Sequence, residues 1–318
     1  MITITLRYPS DGAGAPEDRL PKTMAIGTFD GVHPGHQAVI RKAVELARDS
    51  GRLAAVMTFD PHPRALLGGE GMYAESLTPL PEKIRLLEQL GVDLVYVAAF
   101  NRDFAGLTPE AFVRDLLIGR LRVTDAAVGF DFTFGRGGAG NPALLGELGG
   151  TALAVHTVEP VSAAGEKISS SRIRDAIKLG DVALAAGLLK RPYRIAGTVV
   201  RGAARGRTIG FPTANIEPDG RYVLPRHGVY AVYARVGGET RPAVMNVGVV
   251  PTFHADGGTP RLEAHLLDFS GDLYGERIAV DFVAFIRPEL KFDGADALAA
   301  QIREDAEQAR RLLAIVRG

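Results

Sequence analysis

The sequence predicts a two-domain protein: an α/β domain built on a parallel sheet, then a small antiparallel β-barrel of five or six strands with a C-terminal helix. Strand-like and helix-like segments alternate over the first part of the chain, which is typical of a parallel sheet with helices on both faces. After Lys190 the strands follow one another without helices. The length of 318 residues also exceeds that of most single cores. We therefore predict domains over residues 1–187 and 188–318.

Apolar runs and helix-start signals define the elements of the first part. Pro34 stands where proline is tolerated, in a first helical turn, and Thr108 followed by Pro109 is an N-cap with proline at N1. The predicted strands cover 1–6, 24–29, 53–59, 92–100, 126–134 and 153–158. The predicted helices cover 34–49, 82–90, 109–121, 169–179 and 181–189.

The second part has the pattern of a compact β domain. Strands are predicted over 193–201, 228–236, 241–247, 262–269 and 277–285. The pair Gly237-Gly238 marks a tight hairpin between two of them. A long amphipathic helix is predicted over 295–316.

Composition narrows the function classes. The 37 basic and 37 acidic residues balance, so no nucleic-acid surface is indicated. Cysteine is absent, which excludes disulfides and thiolate metal sites. No stretch is long and apolar enough to span a bilayer, and the N-terminus lacks the basic start of a signal peptide. We expect a cytoplasmic protein acting on small molecules; its oligomeric state, including weak self-association, is left open.

A first glycine-rich segment, GTFDGVHPGH at 27–36, follows a predicted strand and enters a predicted helix. A helix start offers free N–H groups and partial positive charge to a phosphate, and His33 and His36 add donors that can be charged at neutral pH. Gly31 and Gly35 let the backbone approach a ligand closely. The HxGH pattern is typical of nucleotidyl transfer, although it could also be two surface histidines on a turn.

Two further segments could complete this site. The segment TFDPHP ends the second long strand, and ISSSRIR at 168–174 opens a late helix whose hydroxyls, N–H groups and arginines could hold phosphates. The former could instead be a strand end stiffened by proline. A zinc site built from His33, His36 and His62 is another alternative, although no fourth ligand stands out.

The segment GRGGAG at 135–140 formally matches the GxGxxG pattern of a dinucleotide-binding unit, with Glu159 about 20 residues on. This would indicate a nicotinamide oxidoreductase. The segment does not follow the first strand of the domain, and the helix after it is short and interrupted by glycine. We interpret it as a mobile loop over the nucleotide or second substrate.

A second glycine-rich segment, GRTIGFPTAN at 206–215, predicts another phosphate cradle. Thr213 and Asn215 place two neutral oxygens on one side of an extended segment, which suits Mg²⁺. A kinase also needs a group that takes the proton from the acceptor hydroxyl, and Glu263 is the candidate. Glu263 could equally be an outward-facing strand residue.

These motifs together resemble one family. GTFDGVHPGH, TFDPHP, GFDFTFG, ISSSRIR, GRTIGFPTAN, NVGVVPTF and LEAHLLDF occur in one order over nearly the whole chain. The chain thereby resembles the bifunctional bacterial riboflavin kinase/FMN adenylyltransferases, also called FAD synthetases. The resemblance implies a Rossmann-like, nucleotidyltransferase-like N-terminal domain and a six-stranded kinase barrel. It also implies two reactions with Mg²⁺: riboflavin and ATP give FMN, and FMN and ATP give FAD and pyrophosphate. An inactive flavin-binding protein is the remaining alternative.

The resemblance also implies roles for individual residues. Glu263 would be the base of the kinase, and His33 and His36 would act on the phosphates in adenylyl transfer. Asp131 stands where some members have asparagine, and Ser171 where threonine is usual. The ATP contacts of the adenylyltransferase would be Gly27, Phe29, Asp30, Gly31, His33, His36, Ser169, Ser170 and Arg172. Its flavin contacts would be Asp60, His62 and Asp131. In the kinase, ATP would meet Gly202, Gly206, Arg207, Gly210, Pro212, Thr213 and Asn215, flavin would meet Asn246 and Arg287, and Thr213 and Asn215 would hold the metal.

Overall fold

The computed structural model describes residues 1–9, 15–68, 74–163, 165–202, 210–250 and 259–317. The chain forms two compact units, Met1–Ser169 and Ser170–Gly318.

The first unit is built on a six-stranded parallel sheet, which confirms the predicted architecture. Its strands are β1 (Ile2–Leu6), β2 (Lys22–Ile26), β3 (Leu53–Asp60), β4 (Leu94–Ala99), β5 (Val123–Gly129) and β6 (Ala154–Val158). Their order across the sheet is β1-β4-β3-β2-β5-β6. From β2, the chain adds β3 and β4 on one side of β2 and then reverses direction to add β5 and β6 on the other side. Ligands of open parallel sheets bind at such a reversal, beyond the carboxyl ends of the strands.

Helices follow the strands as predicted, with several shorter ones added. They are α1 (Pro34–Asp49), α2 (Pro63–Leu67), α3 (Leu80–Gln89), α4 (Arg102–Ala105) and α5 (Pro142–Gly149). The two short helices α2 and α4 were not predicted. The helix opened by Thr108 continues as a π-helix, Ala111–Arg120, and the Thr108 hydroxyl accepts the Ala111 N–H at 3.2 Å. The predicted cap is thus confirmed.

Apolar side chains cover both faces of the sheet. Met24 and Ile26 of β2 belong to one buried cluster, and Ala25 between them belongs to the other. Val56 of β3 shares the second cluster with Ile40 of α1. Successive strand residues point to opposite faces, so each central strand supplies both clusters. This explains why these strands are short continuous apolar runs.

Strand β5 ends at Gly129, so the prediction of a strand to residue 134 was wrong. The glycine-rich segment 135–140 is instead a closed loop: Phe134 and Gly140 exchange backbone hydrogen bonds of 3.1 and 2.8 Å. Gly135 has φ of 73°, a left-handed conformation that favours glycine. The loop does not continue a strand into a helix as a dinucleotide-binding turn would. A small hairpin, β7 (Ser162–Ala163) and β8 (Glu166–Lys167), follows β6.

The second unit is a closed six-stranded antiparallel barrel with helices packed on it, which confirms the predicted fold. Two helices precede it, α6 (Ser170–Leu179) and α7 (Val182–Leu189). The strands are β9 (Tyr193–Val200), β10 (Ala214–Pro218), β11 (Gly228–Val236), β12 (Glu239–Val250), β13 (Thr259–Leu266) and β14 (Arg277–Arg287), in the order β10-β13-β12-β11-β14-β9. Strand β10 was expected only as an extended segment.

Helix α8 (Ala295–Arg317) closes the second unit. Ala306, Ala309 and Leu313 pack in one cluster with barrel residues such as Val229 and Val244. The Arg287 guanidinium makes two bonds to the Asp305 carboxylate, of 2.8 and 2.7 Å, which join the end of β14 to this helix. Because α6 and α7 lie in this unit, its compact boundary precedes residue 188. The predicted division of the two catalytic activities between residues 187 and 188 stays a prediction.

Candidate active sites

The first candidate site lies where three neighbouring strands end. The segment 27–36 follows β2, Asp60 ends β3, and Asp131 comes soon after β5. Because β3, β2 and β5 are adjacent and parallel, these residues share one edge of the sheet. This edge is the reversal point of the strand order, where α/β sheets bind nucleotides.

His33 and His36 form a stacked pair at the start of α1. The ring centroids lie 3.6 Å apart with an interplanar angle of 19°. His33 is the N-cap of α1, and its Nδ1 accepts the backbone N–H of His36 at 3.4 Å. His33 is 5% exposed, and Phe29 meets the ring of His36 edge-on at 5.5 Å. The pair therefore lies at the positive end of a helix dipole, as a phosphate-binding site requires.

The loop before α1, residues 27–36, is held in an unusual backbone conformation. Phe29 and Val32 have φ of 48° and 41°, and Gly31 has φ of 91°. Positive φ in residues other than glycine costs about 1–3 kcal/mol and is concentrated at functional sites. Thr78 stabilises this conformation from outside the motif: its hydroxyl accepts the Gly31 N–H at 2.8 Å, and its N–H donates to Asp30 Oδ1 at 3.1 Å.

Lys83 of α3 holds the same loop through hydrogen bonds of its side chain. Its ammonium donates to the Thr28 carbonyl at 2.8 Å and to Thr58 Oγ1 at 3.1 Å. Burial lowers the pKa of Lys83, while attraction to Asp30 and Asp60 opposes that shift. Neither Lys83 nor Thr78 was predicted as a site residue, because no motif surrounds them; a lysine within the apolar pattern of α3 was the only signal.

The predicted flavin contacts are distributed over the same edge. His62 is the N-cap of α2, and its Nδ1 accepts the Arg64 N–H at 3.1 Å. Asp131 is paired with Lys167 of β8, whose Nζ lies 2.5 Å from Asp131 Oδ2 and 4.4 Å from the centroid of the Phe130 ring. The Asp131 carboxylate therefore has a positive charge beside it at the surface. Lys167 was missed because it precedes the ISSSRIR motif.

The ISSSRIR motif spans the division between the two units. Ser169 ends the first unit, while Ser170 and Arg172 begin α6 in the second. Their predicted contacts with ATP stay predictions.

The second candidate site is a row of three side chains across neighbouring barrel strands. Asn215 of β10 lies opposite Glu263 of β13, and Glu263 lies opposite Asn246 of β12. Opposed residues of antiparallel strands share one face of the sheet. Gly202 packs on this row: a Cβ there would be 2.2 Å from Asn215 Nδ2, so only glycine leaves room for the amide. The barrel register thus brings together four predicted residues.

Glu263 lies on the face opposite the barrel core, since Leu262 and Ala264 beside it are buried. Its side chain is nevertheless only 15% exposed. Arg261, two residues earlier on the same face, donates to Glu263 Oε1 at 2.6 Å. This ion pair was not predicted. It shows that Glu263 has one oxygen engaged and is covered, unlike a freely solvated strand residue.

The segment that carries Thr213 is attached to the same strand. His265 Nδ1 donates to the Pro212 carbonyl at 2.9 Å, and the Phe211 ring meets His265 edge-on. Gly210 has φ of 85° at the start of the segment. Gly206 and Arg207, also predicted to bind ATP, lie outside the described residues. Arg287, predicted to face the flavin, is engaged with Asp305, and its flavin contact stays a prediction.

The geometry does not support the zinc site considered for His33, His36 and His62. Within the described ranges no group of three or more His, Cys, Asp or Glu side chains could hold a metal ion. The described helices include none with the length and apolar character needed to cross a membrane.

Both units match known families. Residues 15–172 match the FAD synthetase family model, and residues 189–313 match the riboflavin kinase family model. The bifunctional riboflavin kinase/FMN adenylyltransferase of Bacillus subtilis is 44% identical over 303 residues, covering 95% of both chains. That of Escherichia coli K12 is 42% identical over 296 residues, covering 92% of this chain and 93% of the relative.

A solved structure shares the whole architecture. It is a Streptococcus pneumoniae protein described as a macrolide-efflux protein, 35% identical, with a TM-score of 0.86 and coverage of 98% of this chain and 99% of that one. The likeness extends over both units, so the combination of sheet and barrel is not particular to this sequence.

The parallel-sheet unit and the barrel, with a family model matched to each, define a bifunctional transferase that combines a nucleotidyltransferase and a kinase. Within that class, the chain belongs to the family of bifunctional riboflavin kinase/FMN adenylyltransferases.

Proposed function

We propose that this chain makes FAD from riboflavin in two steps, with the barrel as kinase and the parallel-sheet unit as adenylyltransferase. The observation that carries the proposal is that one chain matches both family models, each over a separate compact unit. In each unit, motif residues far apart in sequence also converge on one place.

In the kinase step, the riboflavin 5′-hydroxyl attacks the γ-phosphorus of ATP and ADP leaves. Glu263 would accept the hydroxyl proton through Oε2, because Oε1 is held by Arg261. Asn246, in the same row, would orient the flavin, and Gly202, Gly210 and Pro212 would line the nucleotide phosphates. A base fixed on a rigid strand suits this role, since phosphoryl transfer depends mainly on positioning and charge stabilisation.

In the adenylyl step, an FMN phosphate oxygen attacks the α-phosphorus of ATP, and the bond to the departing pyrophosphate breaks. His33 and His36, with the N–H groups of α1, would stabilise charge on the transferring and leaving phosphates. Asp60, His62 and Asp131 would contact the flavin, with the positive charge of Lys167 beside Asp131. Ser169, Ser170 and Arg172 would contribute to holding ATP.

The residues at the kinase site fit Mg²⁺. Thr213 and Asn215 supply a hydroxyl and an amide oxygen, which are ligands that Mg²⁺ accepts alongside phosphate oxygens and water. Gly202 leaves room for the Asn215 amide itself, because a Cβ there would lie 2.6 Å from Asn215 Oδ1, the oxygen that would bind the ion. When bound, the ion would neutralise charge on the nucleotide phosphates. A cytoplasmic location and a division of activities at 187/188 are further parts of the proposal.

Incubation of the protein with riboflavin and Mg-ATP, followed by chromatography, tests the function. FMN should appear first and FAD later, with ADP from the first step and pyrophosphate from the second. A flavin-binding protein without activity would retain riboflavin unchanged. A nicotinamide oxidoreductase would bind NAD in a titration, which we do not expect from a closed loop at 135–140.

A further inference from the structure

Lys83 occupies a position that no sequence motif indicates. It is 6% exposed, and its ammonium, the Thr58 hydroxyl and the Thr28 carbonyl form a closed triangle. Lys83 Nζ donates to the Thr28 carbonyl at 2.8 Å and to Thr58 Oγ1 at 3.1 Å, and Thr58 Oγ1 donates to the Thr28 carbonyl at 3.0 Å. The triangle joins the carboxyl end of β3 to the loop 27–36 that leads to His33 and His36.

Placing an ammonium group here is costly. A buried charge loses its hydration, and neutral acceptors replace only part of it. Asp30 and Asp60 partly compensate through attraction, yet burial still lowers the pKa of Lys83. An apolar side chain of similar length would fill the same volume without that cost. The ammonium must therefore do something that volume alone does not.

A second buried lysine in the described part of this sheet provides a comparison. Lys22 lies at the opposite end of β2, and its Nζ donates to the carbonyls of Asp18, Leu20 and Leu121. Lys22 thus holds backbone carbonyls as Lys83 does, but away from the phosphate loop. Comparing substitutions of the two lysines therefore distinguishes a general effect of burying a lysine from an effect specific to the phosphate loop.

We propose that Lys83 is a positioning residue for adenylyl transfer: by holding the Thr28 carbonyl against Thr58, it sets the backbone path that aims His33 and His36 at the ATP phosphates. The inference rests on the proposed adenylyltransferase function. Thr28 is followed directly by Phe29, the first positive-φ residue of the loop. Releasing the carbonyl lets the strained loop relax, and misplacement by about 1 Å can cost about 10²-fold in rate.

The test uses the full chain and the steady-state kinetics of FAD formation from FMN and ATP. Lys83→Met should lower kcat about 100-fold and change the KM for ATP no more than about threefold, because the loss is in transition-state alignment. Urea unfolding of the full chain measures whether the parallel-sheet unit that contains Lys83 is folded, since riboflavin phosphorylation reports only on the barrel unit. Lys22→Met is the matched control and should retain kcat for FAD formation.

Three results would overturn the proposal. These are a Lys83→Met kcat within about threefold of the wild type, an equal loss in Lys22→Met, or a change confined to KM. If Lys83→Met does not fold, Thr58→Val decides, since it removes one acceptor of Lys83 and one donor to Thr28 while keeping the shape. It should lower kcat about tenfold, and an unchanged kcat would refute the inference. A wild-type protein that makes no FAD would instead refute the proposed function.

Discussion

Arg261 Nη2 lies 2.6 Å from Glu263 Oε1, on one face of a single barrel strand. Residues two apart on a strand share a face, so the two side chains can meet. The sequence alone did not predict this ion pair, which the side-chain geometry shows. The contact engages one carboxylate oxygen of a residue that lies opposite both Asn215 and Asn246 in the barrel register.

Glu263→Gln should abolish most kinase activity. The amide keeps the shape and cannot accept the hydroxyl proton, so FMN formation should fall by about 10²–10⁴. FAD formation from supplied FMN should persist, because His33 and His36 lie in the other unit. Initial rates of both reactions in one preparation provide the measurement. Normal riboflavin phosphorylation would exclude Glu263 as the base, and joint loss of both activities in a folded protein would indicate a shared site.

Arg261→Met should have a smaller effect on the same reaction. The Arg261 side chain is 39% exposed, and such ion pairs contribute about 0.2–1 kcal/mol, so kcat for FMN formation should fall at most about fivefold. Combining Arg261→Met with Glu263→Gln should add little to the loss from Glu263→Gln alone, because the arginine acts through the carboxylate. Additive losses in this double-mutant cycle would show that Arg261 contacts substrate directly.

His33→Asn separates capping from catalysis at the first site. Asparagine is a favoured N-cap residue, so α1 should remain stable, whereas His33→Ala should lose about 1 kcal/mol of unfolding free energy. Both variants should lower FAD formation by about 10²–10³, because both remove the imidazole. Urea unfolding and adenylylation rates are the two measurements. Full activity in His33→Asn would mean that His33 only caps the helix.

Lys22 should make the stability of the protein depend on pH. Burial lowers the pKa of Lys22 from 10.5 to about 8, so the cost of its buried charge is fully present below pH 8. Between about pH 8 and 10.5 the unfolded chain binds more protons than the fold, and stability contributed by Lys22 rises with pH, by at most about 1.4 kcal/mol per unit.

The measurement compares the wild type with Lys22→Met by urea unfolding from pH 7 to 9.5. As pH rises, the unfolding free energy of the wild type should increase relative to that of Lys22→Met. Burial and the bond to Asp18 raise the pKa of Tyr96, which stays protonated in the fold over this range. A difference that is constant with pH would show that Lys22 does not titrate there.

Two fragments test where the kinase unit begins. Residues 188–318 carry all six barrel strands, whereas residues 170–318 add α6 and α7. Val182 and Ala185 of α7 are buried and are present only in the longer fragment, so the shorter one should expose the apolar surface that they cover and melt at a lower temperature. Both should form FMN and neither should form FAD. FAD production by either fragment would contradict the assignment of the two activities, and an inactive shorter fragment would move the functional boundary toward residue 170.

The sequence by itself determined the order of the two domains, the glycine-rich segments and the polar residues within them. Alternation of strands and helices, the Thr108 cap and the apolar runs are local patterns, and they predicted the sheet and most of the barrel. The strand end at Gly129 was missed because the apolar GFDFTF continues a strand-like pattern past the last paired residue. Strand β10 was expected only as an extended segment, because its first residues, Ala214 and Asn215, end a glycine- and proline-containing motif.

Only the tertiary structure decided what surrounds each motif. The order β3-β2-β5 places Asp60, the 27–36 loop and Asp131 at one edge, and the barrel register places Asn215, Glu263 and Asn246 in one row. Thr78 and Lys83 stabilise the loop from a segment about 50 residues away, which no local pattern encodes. The physical reason is that strand pairing and buried polar contacts join distant parts of the chain. Their partners are therefore selected by packing and hydrogen bonding of the whole unit rather than by neighbouring residues.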